Sequence, residues 1–146
     1  MNIYFVGQMI LLGLFYNSIA LLKVQKQIMN SILVASTIAI GIHSFLDSSQ
    51  FFKYNLFVIV VSNLCVLIFA AFHLYNMLSS VKKYYYVTIG LIIYLLATTM
   101  VFLVGNINAT LSNEYKFVLF KFNSVLTCLY YLFILYEWKV SFFRKK

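Results

Sequence analysis

Proline is missing from the entire chain, only three acidic residues occur among 146, and charged side chains of both signs make up just 10%. Each shortage removes a class of protein. A water-soluble domain carries about 25% charged residues and keeps a polar face on each surface helix, whereas the long runs here are apolar around most of their circumference. Asp47, Glu114 and Glu137 are scattered, so no close carboxylate pair is available for acid–base work. Serines are plentiful but lack a nucleophile-elbow context, and there is no glycine-rich phosphate loop. With no proline the simplest helix break is gone, and Gly41, Gly90 and Gly105 do not form the paired interruptions that carriers use. Cys65 and Cys128 both fall inside apolar runs, where they read as unpaired thiols acting as small apolar residues.

What is abundant is hydrocarbon. Hydrophobic residues make up 64% of the chain and gather into five runs. The central one, NLFVIVVSNLCVLIFAAFHLYNML over 55–78, is interrupted away from its borders only by Ser62, Asn63 and His73. As a helix rising about 1.5 Å per residue, it exceeds a hydrocarbon layer of roughly 30 Å. The expected fold is therefore all-α: a polytopic transmembrane bundle of five spans over about 3–22, 28–46, 55–78, 85–104 and 117–136. The short polar breaks between runs make neighbouring helices antiparallel and leave one transmembrane domain over 1–146, without a separate soluble part. No internal repeat is visible, and an odd number of spans argues against whole-chain duplication. The first 22 residues lack the basic start of a cleavable leader and are long enough to span.

The net charge of +8 could suggest nucleic acid, but the basic residues sit in small groups between apolar runs, with no basic face and no aromatic–basic interleaving. Topology accounts for them better. Eight of the eleven, Lys23, Lys26, Lys82, Lys83, Lys139, Arg144, Lys145 and Lys146, follow odd-numbered helices; Lys53, Lys116 and Lys121 remain for the other side. The positive-inside rule then puts the amino terminus outside and the carboxyl terminus in the cytoplasm. Tyr84, Tyr85, Tyr86, Tyr136 and Trp138 fall at the inner headgroup level as an aromatic belt.

Few polar side chains lie within the spans, and each has a packing reading and a sharper one. Ser31, Ala35, Ala39, His43 and Asp47 recur at intervals of four, a small-residue strip ending in a histidine and a carboxylate. Such strips let helix backbones approach in lipid. The sharper reading makes His43 and Asp47 a proton-sensing pair facing each other one turn apart. Asn63 needs a partner in hydrocarbon, and the expected one is Asn123 on the fifth helix, at comparable outer depth, through an interhelical hydrogen bond. His73 lies further toward the cytoplasm than Asn63, at least ~10 Å of depth from His43 by helical rise, so the two histidines are not expected to share a metal. The sequence assigns no catalytic residue, no cofactor and no metal ligand. Asn108-Ala109-Thr110 matches a glycosylation sequon on the expected outer loop, but short tripeptides recur by chance and an ordinary polar loop is the preferred reading.

Two passages carry a resemblance. VKKYYYVTIGLIIYLLATTMVFLVGN with FNSVLTCLYYLFILYEW resembles the closing helices of uncharacterised seven-helix membrane proteins of Bacteroidetes type, through Ile89, Gly90, Ile93, Tyr94 and Asn106. VGQMILLGLFYNSIALLK is similar to an earlier helix of that family, but Gln8 stands near its acidic position, so no proton or ligand role carries over. The resemblance covers nearly the whole chain as the last five of seven helices and implies an accessory or sensory-like protein of the bacterial inner (plasma) membrane.

The expectation is a non-enzymatic, signal-transmitting or accessory module of a membrane complex, set in the lipid bilayer and packed against a membrane protein partner or a second copy. The alternative is a transporter or channel subunit, in which Asn17, Thr37, Asn63, Thr98 and Asn123 would line one wet path. A membrane-embedded enzyme would instead have to collect His43, Asp47 and Glu114 in an outer cavity.

Overall fold

The computed structural model describes residues 2–46, 55–79, 83–107 and 113–143, with side chains throughout except at 46, 106, 107 and 113–116. These residues form five helices: α1 (Asn2–Ile19), α2 (Lys23–Leu46), α3 (Leu56–Ser79), α4 (Tyr85–Ile107) and α5 (Asn113–Phe143). All five are long and apolar enough to cross a membrane. The chain divides into two compact units, Met1–Ser79 and Ser80–Lys146.

In the first unit α3 supplies most of the core. Its buried positions include Val58, Ile59, Cys65, Val66, Phe69 and Ala70. α1 meets it with Asn2, Phe5, Met9, Gly13 and Tyr16, steps of three and four that keep one helical face inward. Gly13 marks the tightest approach. A Cβ there would run into the Cδ1 of Leu33 on α2 and come within 3.2 Å of the Phe69 ring on α3. α2 is covered least, burying Gln25, Met29 and Ile40.

Side-chain pairs give the directions. Asn17 pairs with Asn30, and Gly13 lies against Leu33, so α1 and α2 run antiparallel. Gln25 pairs with Asn76 and His43 with Asn55, so α2 and the start of α3 do the same. Caps mark the boundaries. Leu22 C=O accepts the first bond of α2 from Lys26 N at 3.1 Å. Asn55 is the N-cap of α3: its Oδ1 accepts from Phe57 N at 3.1 Å and its C=O from Ile59 N at 3.3 Å.

The second unit is an antiparallel pair, because the partners of rising α4 positions fall along α5. Tyr86 meets Tyr136, Gly90 meets Phe133, Tyr94 stacks on Tyr130 with centroids 5.1 Å apart, and Gly105 lies near Leu119. α4 starts from Tyr84, whose φ of 59° is in the left-handed region that bulky residues rarely enter. Its C=O accepts from both the backbone N and the hydroxyl of Thr88, at 3.1 and 2.8 Å.

Helix limits differ from the sequence reading at the charged ends. α1 stops at Ile19 rather than 22. α2 begins at Lys23 rather than 28, because Lys23, Gln25, Lys26 and Gln27 are good helix formers and Gln25 has a buried partner. α4 continues to Ile107 beyond 104. α5 runs from Asn113 to Phe143 instead of 117–136, so most of the expected tail is helical. The segment from 113 to 143 contains neither glycine nor proline to stop a helix.

Candidate functional site

Polar side chains in the first unit occur at three levels. At the α1 N-terminal end, Asn2 Oδ1 accepts from Asn55 N at 3.4 Å, and Asn55 Nδ2 lies 3.2 Å from His43 Nδ1. The His43 ring stacks on Phe57 with centroids 4.7 Å apart and planes 15° from parallel. Asp47, its expected partner, lies outside the described residues, as does the Asn108 sequon. The side chain of Glu114 is also outside them.

Further along, Asn17 Nδ2 donates to Asn30 Oδ1 at 3.0 Å. At the opposite end of α1, Gln25 and Asn76 exchange both halves of their amides: Gln25 Nε2 donates at 3.0 Å and Asn76 Nδ2 donates back at 2.7 Å. Both residues are buried. His73 is buried one turn before Asn76, its ring 5.7 Å from that of Tyr16. The two histidines thus associate with opposite ends of α1, about 20 Å apart by helical rise. Among the described residues no three of His, Cys, Asp and Glu come together.

Asn63 is 2% exposed on the core face of α3. Asn123 belongs to the second unit, where it is half-buried; its backbone O accepts from Thr127 Oγ1 at 2.9 Å. Several hydroxyls close onto their own helices in this way. Thr37 donates to Leu33 O at 2.8 Å and Thr99 to Leu95 O at 2.7 Å, which satisfies the hydroxyl without a neighbouring helix. Ser62 and Thr98 are each 1% exposed, and their hydroxyls have no partner among the described residues.

The small-residue strip turns outward. Ser31, Ala35 and Ala39 are all exposed, while α2 addresses α1 and α3 through Gln25, Met29, Leu33 and Ile40. Between α1 and α2, toward the α1 N-terminus, lies an apolar cleft of about 600 Å³. Gly7 and Gly41 lie on it, and a Cβ at either would meet nothing within 4 Å.

In the second unit Glu137 is 7% exposed. One of its oxygens accepts from Tyr86 N at 2.8 Å, capping an orphan amide in the first turn of α4, and the other lies 3.4 Å from Ser141 Oγ. Sequence reasoning assigned Glu137 to the tail and missed Gln25. Signals for both were present: an isolated acid beside an apolar span requires a partner, and Gln25, Met29, Leu33, Ser36 and Ile40 continue one helical face.

Comparison with protein-family models, curated proteins and solved structures finds no match.

Proposed function

We propose that this chain is a non-catalytic, membrane-embedded packing module of a bacterial inner membrane, with its amino terminus outside, and that the outer face of α2 receives a helix from a partner protein or a second copy. The observation that carries this reading is the outward strip of Ser31, Ala35 and Ala39. In lipid there is no hydrophobic drive to bring helices together, and small residues favour association by letting backbones come close. The interior polar groups support the same view. Gln25 and Asn76 exchange both halves of their amides, and Asn17 Nδ2 donates to Asn30 while its Oδ1 is unmatched among the described residues, so these amides tie helices together.

Cross-linking in native membranes tests the proposal. Ala35→Cys and Ala39→Cys should each give a cross-linked species of defined size, and Ala39→Leu placed beside Ala35→Cys should remove most of it. A chain that stays monomeric in membranes and mild detergent, with no cross-link from either cysteine, would refute the reading.

A further inference from the structure

We infer that His43 is a proton-operated switch on the N-cap of α3: when its ring takes up a proton, Asn55 lets go of the first turn of that helix. Three helices meet at Asn55. Its backbone N donates to Asn2 Oδ1 of α1 at 3.4 Å, its Oδ1 accepts from Phe57 N at 3.1 Å, and its Nδ2 stands 3.2 Å from Nδ1 of His43 on α2. Asn55 is buried, whereas His43 is partly exposed.

Donor and acceptor roles fix the charge of the ring in this arrangement. The Phe57 amide lies in the first turn, where a helix offers it no acceptor, so it holds Asn55 with Oδ1 toward α3 and Nδ2 toward His43. An amide nitrogen only donates. Nδ1 must therefore accept, which makes the ring neutral with its hydrogen on Nε2. An imidazolium carries hydrogens on both nitrogens, so no rotation of the ring restores the acceptor. A charged ring also keeps a favourable place over Phe57, with centroids 4.7 Å apart, so the adjustment falls on Asn55. Turning that amide over presents Oδ1 to the ring in a charge-assisted bond and withdraws it from Phe57 N. The two sites address different ends of the amide, so one oxygen cannot serve both.

Ionisable neighbours do not alter the sense of the change. α1 has no charged residue and offers Tyr4 at this end, 60% exposed; α3 has Cys65, His73 and Tyr75, all further along; and Lys23 and Lys26 are at the far end of α2. The Met1 amine, Asp47, Lys53 and Tyr54 lie outside the described residues. Charge there sets the pH at which the ring titrates, not which atom of Asn55 it then needs. Histidine as a class changes charge between roughly pH 5 and 8, so the cap is made at the alkaline end of that range and released as the pH falls. Which side of the membrane supplies the proton rests on the topology proposed above; the switch itself does not.

The test uses the full chain in detergent micelles, isotopically labelled at nitrogen and followed by NMR across the same pH range. At the alkaline end the imidazole signals of His43 should be those of a neutral ring with a bare Nδ1. As the ring charges, protection of the Phe57 amide against hydrogen exchange, taken relative to an unstructured peptide at the same pH, should fall about fivefold, the weight of a typical N-cap. His43→Gln keeps an acceptor but does not titrate, and should hold that protection constant. Asn55→Asp should also retain it in acid, because one carboxylate oxygen caps α3 while the other accepts from the charged ring. The wild-type readings stand alone should a variant fail to fold. A hydrogen on Nδ1 at the alkaline end, protection that ignores the charge of His43, or a fall that persists in either variant would overturn the inference.

Discussion

The Gln25–Asn76 exchange shows how much one buried amide depends on its neighbour. Each side chain donates to and accepts from the other, so deleting one removes both bonds that the other makes across this helix pair. Gln25→Leu alone should cost about 1–2 kcal/mol, and the Gln25→Leu/Asn76→Leu pair should cost less than the two single changes added together. A double-mutant cycle read by helicity during detergent unfolding checks this; strict additivity would mean that the pair does not couple the helices. Single residues also mark the limits of sequence reading. A polar residue in an apolar run announces that it needs a partner, but the partner's identity depends on register. Asn63 therefore suggested Asn123 by depth alone, while Gln25, set in a basic turn, suggested nothing although its partner lies 51 positions away.

At the scale of helices, apolar length made all five elements legible, because a run that outlasts the hydrocarbon layer has few other folds open to it. Their ends were less legible. Lysines at 23 and 139 signal a passage into headgroups, yet lysine is a good helix former: α2 begins at Lys23 and α5 continues through Lys139. Close approaches were not legible at all, since a glycine in a span states neither what faces it nor at what distance. Gly13 and Gly90 illustrate the difference. A Cβ at position 13 meets the end of the flexible Leu33 side chain, whereas one at position 90 comes within 2.6 Å of the Cβ of Phe133, an atom that cannot swing aside. Gly90→Ala should therefore destabilise the α4–α5 pair by about 1–3 kcal/mol. Gly13→Ala should stay below about 1 kcal/mol, helped by the better helix propensity of alanine. Both values come from the same detergent titration, and equal costs would show that the α4–α5 seam is no tighter than the α1 contact.

For the whole molecule the proposed orientation rests on the distribution of lysine and arginine, with eight of eleven following odd-numbered helices. A reporter fused after Lys146 should be found in the cytoplasm by protease protection of sealed vesicles, and exposure on the outside would reverse the proposed topology. α5, with 31 residues, adds a consequence of its own. Fully helical, it is about 46 Å long, some 16 Å more than the oil it would cross. Such a rod must lean or project, and the angle it takes follows the thickness of the lipid around it. Because Glu137 fastens α5 to the first turn of α4, a change in that lean would be passed to its neighbour. On the membrane placement proposed above, the hairpin would in this sense register bilayer thickness.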